Sequence, residues 1–245
     1  MKISGWDIWY RRIVRDFGYS RKKDAEAASA LSAILRSPPL GRLGGAICGR
    51  PVFVIGAGPS LSSSLDTLKK FRGVTKICAD TAVAPLVKNG IRPHIIVTDL
   101  DGDLELLKRL GRTNITFVVH AHGDNIEKLE FARDFKVCIG TTQTRKIGKA
   151  YNFGGFTDGD RAVFMAEFFG ASQIFLFGMD FGRVIGSHSK TKKAERLVKL
   201  KKLRYGRMLL EWLAPKSEAD LFTLSRPIKG FKKITYRELK QHLEN

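Results

Sequence analysis

Three carboxylates fall within five positions in the stretch VTDLDGD, as Asp99, Asp101 and Asp103. Like charges this close oppose one another's ionisation, so a chain that keeps them together supplies a cation or tolerates raised pKa values. A fourth acid, Asp80, closes the run VTKICAD, and Asp99 closes PHIIVTD. If these runs are neighbouring strands, their tips bring Asp80, Asp99 and Asp101 to one crevice. Oxygen-only donors favour magnesium, which keeps several waters and takes one or two carboxylates together with substrate phosphates. The expectation is nucleotide chemistry, with Asp80, Asp99 and Asp101 as metal ligands and Asp103 as a supporting acid or base. A helix cap before Leu104 accounts for Asp103 but not for the other acids.

Other polar groups sit at similar places. In IGAGPSL, Gly56 and Gly58 allow close backbone approach, and a helix opening near Ser60 offers unpaired N–H groups to a phosphate. The third glycine of a dinucleotide fingerprint is missing, so a tight turn is the competing reading. His120 and His122 lie two apart in VVHAHGDN and share a strand side, beside Asn125. Without a further Cys or His cluster, contact with a substrate is the simpler role than metal binding. Asp158 and Asp160 open a helix in FTDGDRA, where acids either cap or bind. Lys190, Lys192 and Lys193 lie in a Gly/Ser-containing loop able to close over phosphates.

The elements that position these groups follow from the runs PVFVIGAG, VTKICAD, PHIIVTD, ITFVVHAH, KVCIGTT and QIFLFGMD. Each is short and almost wholly apolar, which marks strands covered on both faces and hence an α/β, Rossmann-like, doubly wound and mainly parallel sheet. Ligands of such sheets bind beyond the carboxyl ends of the strands. Residues 6–36 read as two packed helices, and SPPLGRLGG at 37–45 as a connector. The division is therefore an N-terminal helical segment, 1–45, and a catalytic domain, 46–245. LFTLS at 221–225 reads as a further strand and 236–243 as a closing helix. A long basic helix of roughly 20 residues starts near Ala194, with Leu197, Leu200, Leu203 and Leu210 on its packed side and a solvated cationic face. Substituting Lys201 and Lys202 is accordingly expected to matter little.

The chain has 245 residues and a formal charge of +19. That charge suits polyanions, nucleic acid included, but there is no RNP pattern or helix-turn-helix signature, and the acidic cluster would repel such a ligand. Cys48, Cys78 and Cys138 are isolated, so no zinc site or disulfide framework is indicated. The first residues lack the apolar core of a signal peptide, and no window approaches a membrane span. A cytoplasmic enzyme, as a monomer or a homo-oligomer, is the expectation.

The ordered set of motifs resembles thiamine pyrophosphokinases through CADTAVAPLVKNGIRPHIIVTDLDGD and TDGDRAVFMAEFFGASQIFLFGMDFGR. That family carries GGR-x-DH where this chain has DFGRVIGSH, which argues against thiamine as the acceptor. A fuller resemblance, through GAGPSL, ADTA, DLDGD, HAHGDN, GTTQ, NFGGFTDGDRA and GMDFG, is to the archaeal 6-hydroxymethyl-7,8-dihydropterin diphosphokinases, over nearly the whole chain. It implies ATP as co-substrate, Mg2+, a pterin acceptor and release of AMP. On that resemblance Gly56, Gly58, Ser60, Lys190, Lys192 and Lys193 are expected at phosphates. His122, Asn125, Asp158, Asp160 and Asp180 are expected at pterin or ribose. Related domains also occur in flagellin-glycosylation proteins, which keeps a glycan-modifying activity as a rival reading.

Overall fold

The structure is a computed structural model and describes residues 4–182, 184, 186 and 193–244. Among these residues the strands form one nine-stranded sheet, parallel throughout. Strand β1 (Pro51–Ile55) lies between β2 (Thr75–Ala79) and β7 (Gln173–Phe177). On the β2 side follow β3 (Ile95–Thr98), β4 (Thr116–Ala121), β5 (Cys138–Thr142) and β6 (Ala150–Tyr151). On the β7 side follow β8 (Asp220–Thr223) and β9 (Lys232–Lys233).

Both faces of the sheet are covered, which is why the strands lack polar alternation. Val52 and Val54 face one apolar cluster, and Phe53 and Ile55 the other. Helices α1 (Trp6–Phe17), α3 (Leu40–Ile47), α7 (Asp158–Phe168) and α8 (Arg196–Leu213) build the first cluster. Helices α2 (Arg21–Ile34), α4 (Leu61–Lys70), α5 (Val83–Lys88), α6 (Leu104–Gly111) and α9 (Tyr236–Glu244) build the second. Each large apolar side chain buried this way is worth roughly 1.5–3 kcal/mol. The N-terminal helices thus contribute to both cores: Trp6, Tyr10, Ile13 and Leu43 to one, Ala27 and Leu31 to the other.

Three expectations are corrected. The stretch 37–45 is not a plain connector, because Leu43 and Ile47 repeat at helical spacing and are fully buried, which draws α3 out of a Gly/Pro-rich sequence. The edge strands β6 and β9 are additional; at two residues each, one of them Lys232–Lys233, they carry no periodicity to read. In α8 the packed side is Tyr205, Gly206, Leu209, Leu210 and Leu213, while Leu197 is 79% exposed, so the supposed apolar stripe belongs to two different helix faces.

A buried polar node fixes α2 to the carboxyl ends of β4 and β5. Asp24, almost fully buried, accepts hydrogen bonds from Tyr10 Oη (2.8 Å), Gln143 Nε2 (2.8 Å) and Gly123 N (2.9 Å). Burial, followed by the bond and charge of Asp24, pushes the Tyr10 phenol well above its usual range. Asp24→Ala leaves three donors without an acceptor, two of them buried, and is expected to cost about 3 kcal/mol of stability, with Asp24→Asn costing less. Urea unfolding of both variants checks this, and a loss below about 1 kcal/mol for Asp24→Ala would show that the node does not hold the helix in place.

Candidate active site

The parallel order places the carboxyl ends of β2 and β3 side by side, and the two acids that follow them meet as the sequence leads one to expect. Asp80 follows β2 and Asp99 follows β3. Asp101 comes from the same turn as Asp99, and Asp158 from the first turn of α7. One oxygen of each of these four carboxylates lies within 4.8 Å of the others. Asp103 stands apart: its Oδ1 accepts from Leu106 N (3.1 Å) and caps α6.

The turn that carries Asp99 and Asp101 is held in an uncommon shape. Leu100 between them has φ 65°, a left-handed conformation that costs a non-glycine residue roughly 1–2 kcal/mol. Its side chain is fully buried in the second core cluster, while its acidic neighbours line the crevice. Burying leucine offsets the strain, so an apolar residue rather than glycine serves here. Thr98 Oγ1 accepts from Leu100 N (2.8 Å) and donates to Asp80 Oδ2 (2.5 Å), tying turn to carboxylate. Gly102 N also donates to Asp80 Oδ2 (3.2 Å), and a Cβ on Gly102 would stand 1.9 Å from Asp80 Oδ1, so only glycine fits.

His122 Nδ1 accepts from Asp124 N (3.2 Å), so Nε2 is the nitrogen turned as a donor toward Asp99 Oδ2, at 3.5 Å. Asn125 joins the tips of β3 and β4: its Nδ2 donates to Asp99 O (2.7 Å) and His120 O (2.8 Å), and its Oδ1 accepts from His122 N (3.1 Å). His120 is buried deeper, and burial, then the Arg161 charge, holds its imidazole neutral. Arg161, fully buried, donates to Phe156 O (3.0 Å) and contributes positive charge near Asp158 and Asp99. Asp160 completes the capping box of α7, taking Phe156 N (2.6 Å) and Thr157 N (2.9 Å).

The crevice is lined by Asp99, Asp101 and Asp158, by Phe156 and Thr157, and by the tips of β1 and β7. The glycine turn lies at those tips, with three of its amides bonded to protein. Gly56 N donates to Phe177 O, Gly58 N to Gly178 O (2.7 Å), and Ser60 N to Asp180 Oδ2 (2.7 Å). A Cβ on Gly58 would lie 2.6 Å from Asp180 Oδ2, so this glycine is demanded by the approach of the β7 loop. Lys190 and Lys192 lie outside the described residues, and Lys193 begins a 3-10 turn ahead of α8. Among the described residues the cationic lining comes from two lysines expected on a solvated face, Lys199 and Lys202, with Leu203 beside them. Their i, i+3, i+4 spacing was the available signal, since it places them on one side of α8. Leu197 at the start of the helix obscured it.

The electrostatics show a site short of positive charge. Asp99 is held well below the usual carboxylate range: burial opposes this, but hydrogen bonds from His122 and Asp101 and the nearby positive charges outweigh it. Asp101 is raised to about 7, by loss of water in the crevice and then by the Asp99 charge. Asp80 is raised to about 6, chiefly by burial. Asp158 lies far above its ordinary value through burial and then the charges of Asp99, Asp101 and Asp80. Asp99 Oδ1 is buried without a hydrogen-bond partner. A buried carboxylate oxygen with no donor, amid acids that resist ionisation, suits a bound divalent cation.

Carboxyls raised on folding weaken the fold as pH climbs from about 4 through 7, because there they are ionised in the unfolded chain before the folded one. Asp99 has the opposite sign, and its contribution is lost only at more acid pH. Without divalent cations, the wild type is therefore expected to lose melting temperature relative to Asp101→Asn between pH 5.5 and 8. Scanning calorimetry in EDTA at both pH values measures the difference. A difference independent of pH would show that Asp101 is not strained by its neighbours.

Residues 26–186 match the family model for MptE-like 6-hydroxymethylpterin diphosphokinases. A relative from Pyrococcus furiosus, named 6-hydroxymethyl-7,8-dihydropterin pyrophosphokinase, is 42% identical over 92% of this chain and its own full length. Relatives of the same name from Methanocaldococcus jannaschii and Methanothermobacter thermautotrophicus are 40% and 43% identical, over 90% and 87% of this chain and 99% and 95% of their own lengths. Among solved structures, a Maf glycosyltransferase from Magnetospirillum magneticum AMB-1 aligns with a TM-score of 0.57 at 15% identity, over 88% of this chain and 38% of that one. That likeness shows the fold alone. With near full-length matches at this identity, the chain belongs to the MptE-like 6-hydroxymethylpterin diphosphokinase family.

Proposed function

We propose that the protein transfers a diphosphoryl group from ATP to the hydroxymethyl of 6-hydroxymethyl-7,8-dihydropterin and releases AMP. The observation that carries this reading is the group of four carboxylates at adjacent strand tips, in a chain whose relatives bear that activity in their names. The pterin hydroxyl oxygen bonds to the β-phosphorus, the bond from that phosphorus to the bridging oxygen of AMP breaks, and the hydroxyl proton is lost.

Asp99 and Asp101, with Asp80 and Asp158 alongside, are the residues that would hold magnesium. The ion, when bound, neutralises phosphate charge and orients the nucleotide. Thr98, Gly102 and the buried Leu100 keep the carboxylates fixed, so little reorganisation accompanies the reaction. The amide of Asn125 and the Nε2–H of His122 hold Asp99 from behind. Phe156 supplies an apolar surface in the crevice suited to a flat heterocycle.

Incubation of the protein with ATP, magnesium and the dihydropterin is expected to yield AMP and the pterin diphosphate, and chelation to stop turnover without unfolding. ADP as the nucleotide product, or no turnover with this acceptor while thiamine is turned over, overturns the assignment. Asp101→Asn is expected to cut kcat by about 100-fold or more, since one lost charge interaction in a transition state is worth about 3 kcal/mol. Its melting temperature without metal should hold or rise. A variant that melts earlier and keeps most of its activity would make the acidic turn architectural.

A further inference from the structure

Resting on the reading above, we propose that Lys202 is a catalytic residue that contacts the transferred diphosphoryl group and that Tyr19, from the N-terminal helices, is its positioning residue. Neither residue lies within the segment matched by the family model, 26–186.

Lys202 is in the third position beyond Lys199 on α8, and both line the crevice opposite Asp99 and Asp101. It is half-buried, and its charge acts on both acids. A lysine that loses hydration there needs partners for its three N–H groups. One is at hand: the Tyr19 hydroxyl stands near enough to Lys202 to favour its charged form. The remaining donors face a crevice whose carboxylates are occupied once a divalent ion is bound, which leaves them for phosphate oxygens.

Tyr19 is delivered by the corner between α1 and α2, and that corner is locked in place. Gly18 ends α1 in a left-handed turn, and Ser20 caps α2 through Lys23 N. Asp16 accepts from the Tyr205 hydroxyl, and its carbonyl accepts from Lys201. The Phe17 ring packs on Tyr205 (5.2 Å between centroids), on Tyr19 (5.6 Å) and on Phe156 (5.0 Å), the last of which lines the crevice. Lys201 and Lys202 are therefore unequal neighbours. The first tethers the corner from outside, with its Nζ 4.6 Å above the Phe17 ring, and the second is aimed inward by it.

The test measures binding of α,β-methylene ATP with magnesium by calorimetry, which needs no acceptor, alongside kcat and KM for the full reaction. Lys202→Met is expected to weaken analogue binding about 10-fold and lower kcat about 100-fold, the range for losing a charged group at developing phosphate charge, with partial recovery in Lys202→Arg. Tyr19→Phe is expected to lower kcat/KM about 10-fold in the wild-type background and less than about twofold in Lys202→Met, because residues acting as one unit are not additive. Analogue binding and kcat both within about threefold of wild type in Lys202→Met overturn the role of Lys202. An equal loss from Tyr19→Phe in both backgrounds overturns the role of Tyr19. If Lys202→Met fails to fold, Lys202→Arg and Tyr19→Phe carry the same comparison through the KM-against-kcat split, and wild-type values in both overturn the proposal. Lysine-dependent analogue binding in a protein that never turns over the pterin would instead refute the acceptor and leave the Lys202 contact standing.

Discussion

Mutual repulsion among Asp80, Asp99, Asp101 and Asp158 is the constraint on which the rest of the site depends. Four carboxylate oxygens within 4.8 Å of one another do not stay together in an unsupported loop. The fold holds them by fixing backbone, with nearby cations neutralising only part of the charge. Leu100 accepts a left-handed conformation because its side chain is buried, Gly102 removes the Cβ that would strike Asp80, and Thr98 spans carboxylate and turn. The stability invested in the two cores is what permits a strained, acid-rich turn at the sheet's rim.

Topology determines which acids meet. Adjacent parallel strands put Asp80 and Asp99 next to each other without any sequence proximity, 19 positions apart in the chain. The capping of α7 by Asp160 leaves the first residue of that helix, Asp158, free to join them. Two acids in one short motif thus divide between building a helix end and building the site, and their burial differs accordingly: Asp160 is fully buried while Asp158 lines the crevice.

The sheet and its central acids were legible because their signals are local. An apolar run closed by an aspartate reveals both the strand and the acid at its tip, and PHIIVTD needs no tertiary information to be read that way. What escaped was decided by packing between distant segments. The glycine turn at Gly56 and Gly58 looks like a phosphate cradle in isolation; the Gly56 and Gly58 amides are bonded to the end of β7, while the turn itself lines the crevice. Lys202 looks like any solvated lysine until the α1–α2 corner and α8 close around it. Asp103 resembles its neighbours in sequence and parts from them in role, since helix α6 begins one residue later and uses it as a cap.

The large positive charge of the chain also acquires a local meaning. Around the four carboxylates the protein places Arg161, Lys199 and Lys202, together with His122, whose Nε2 faces Asp99. These cations are enough to keep Asp99 ionised but not to bring Asp80 and Asp101 back to ordinary values. A divalent ion, bound as proposed, would remove that deficit and free the lysines for an anionic ligand. On the proposed function, a metal and phosphates arriving together would offset one another's charge in this crevice.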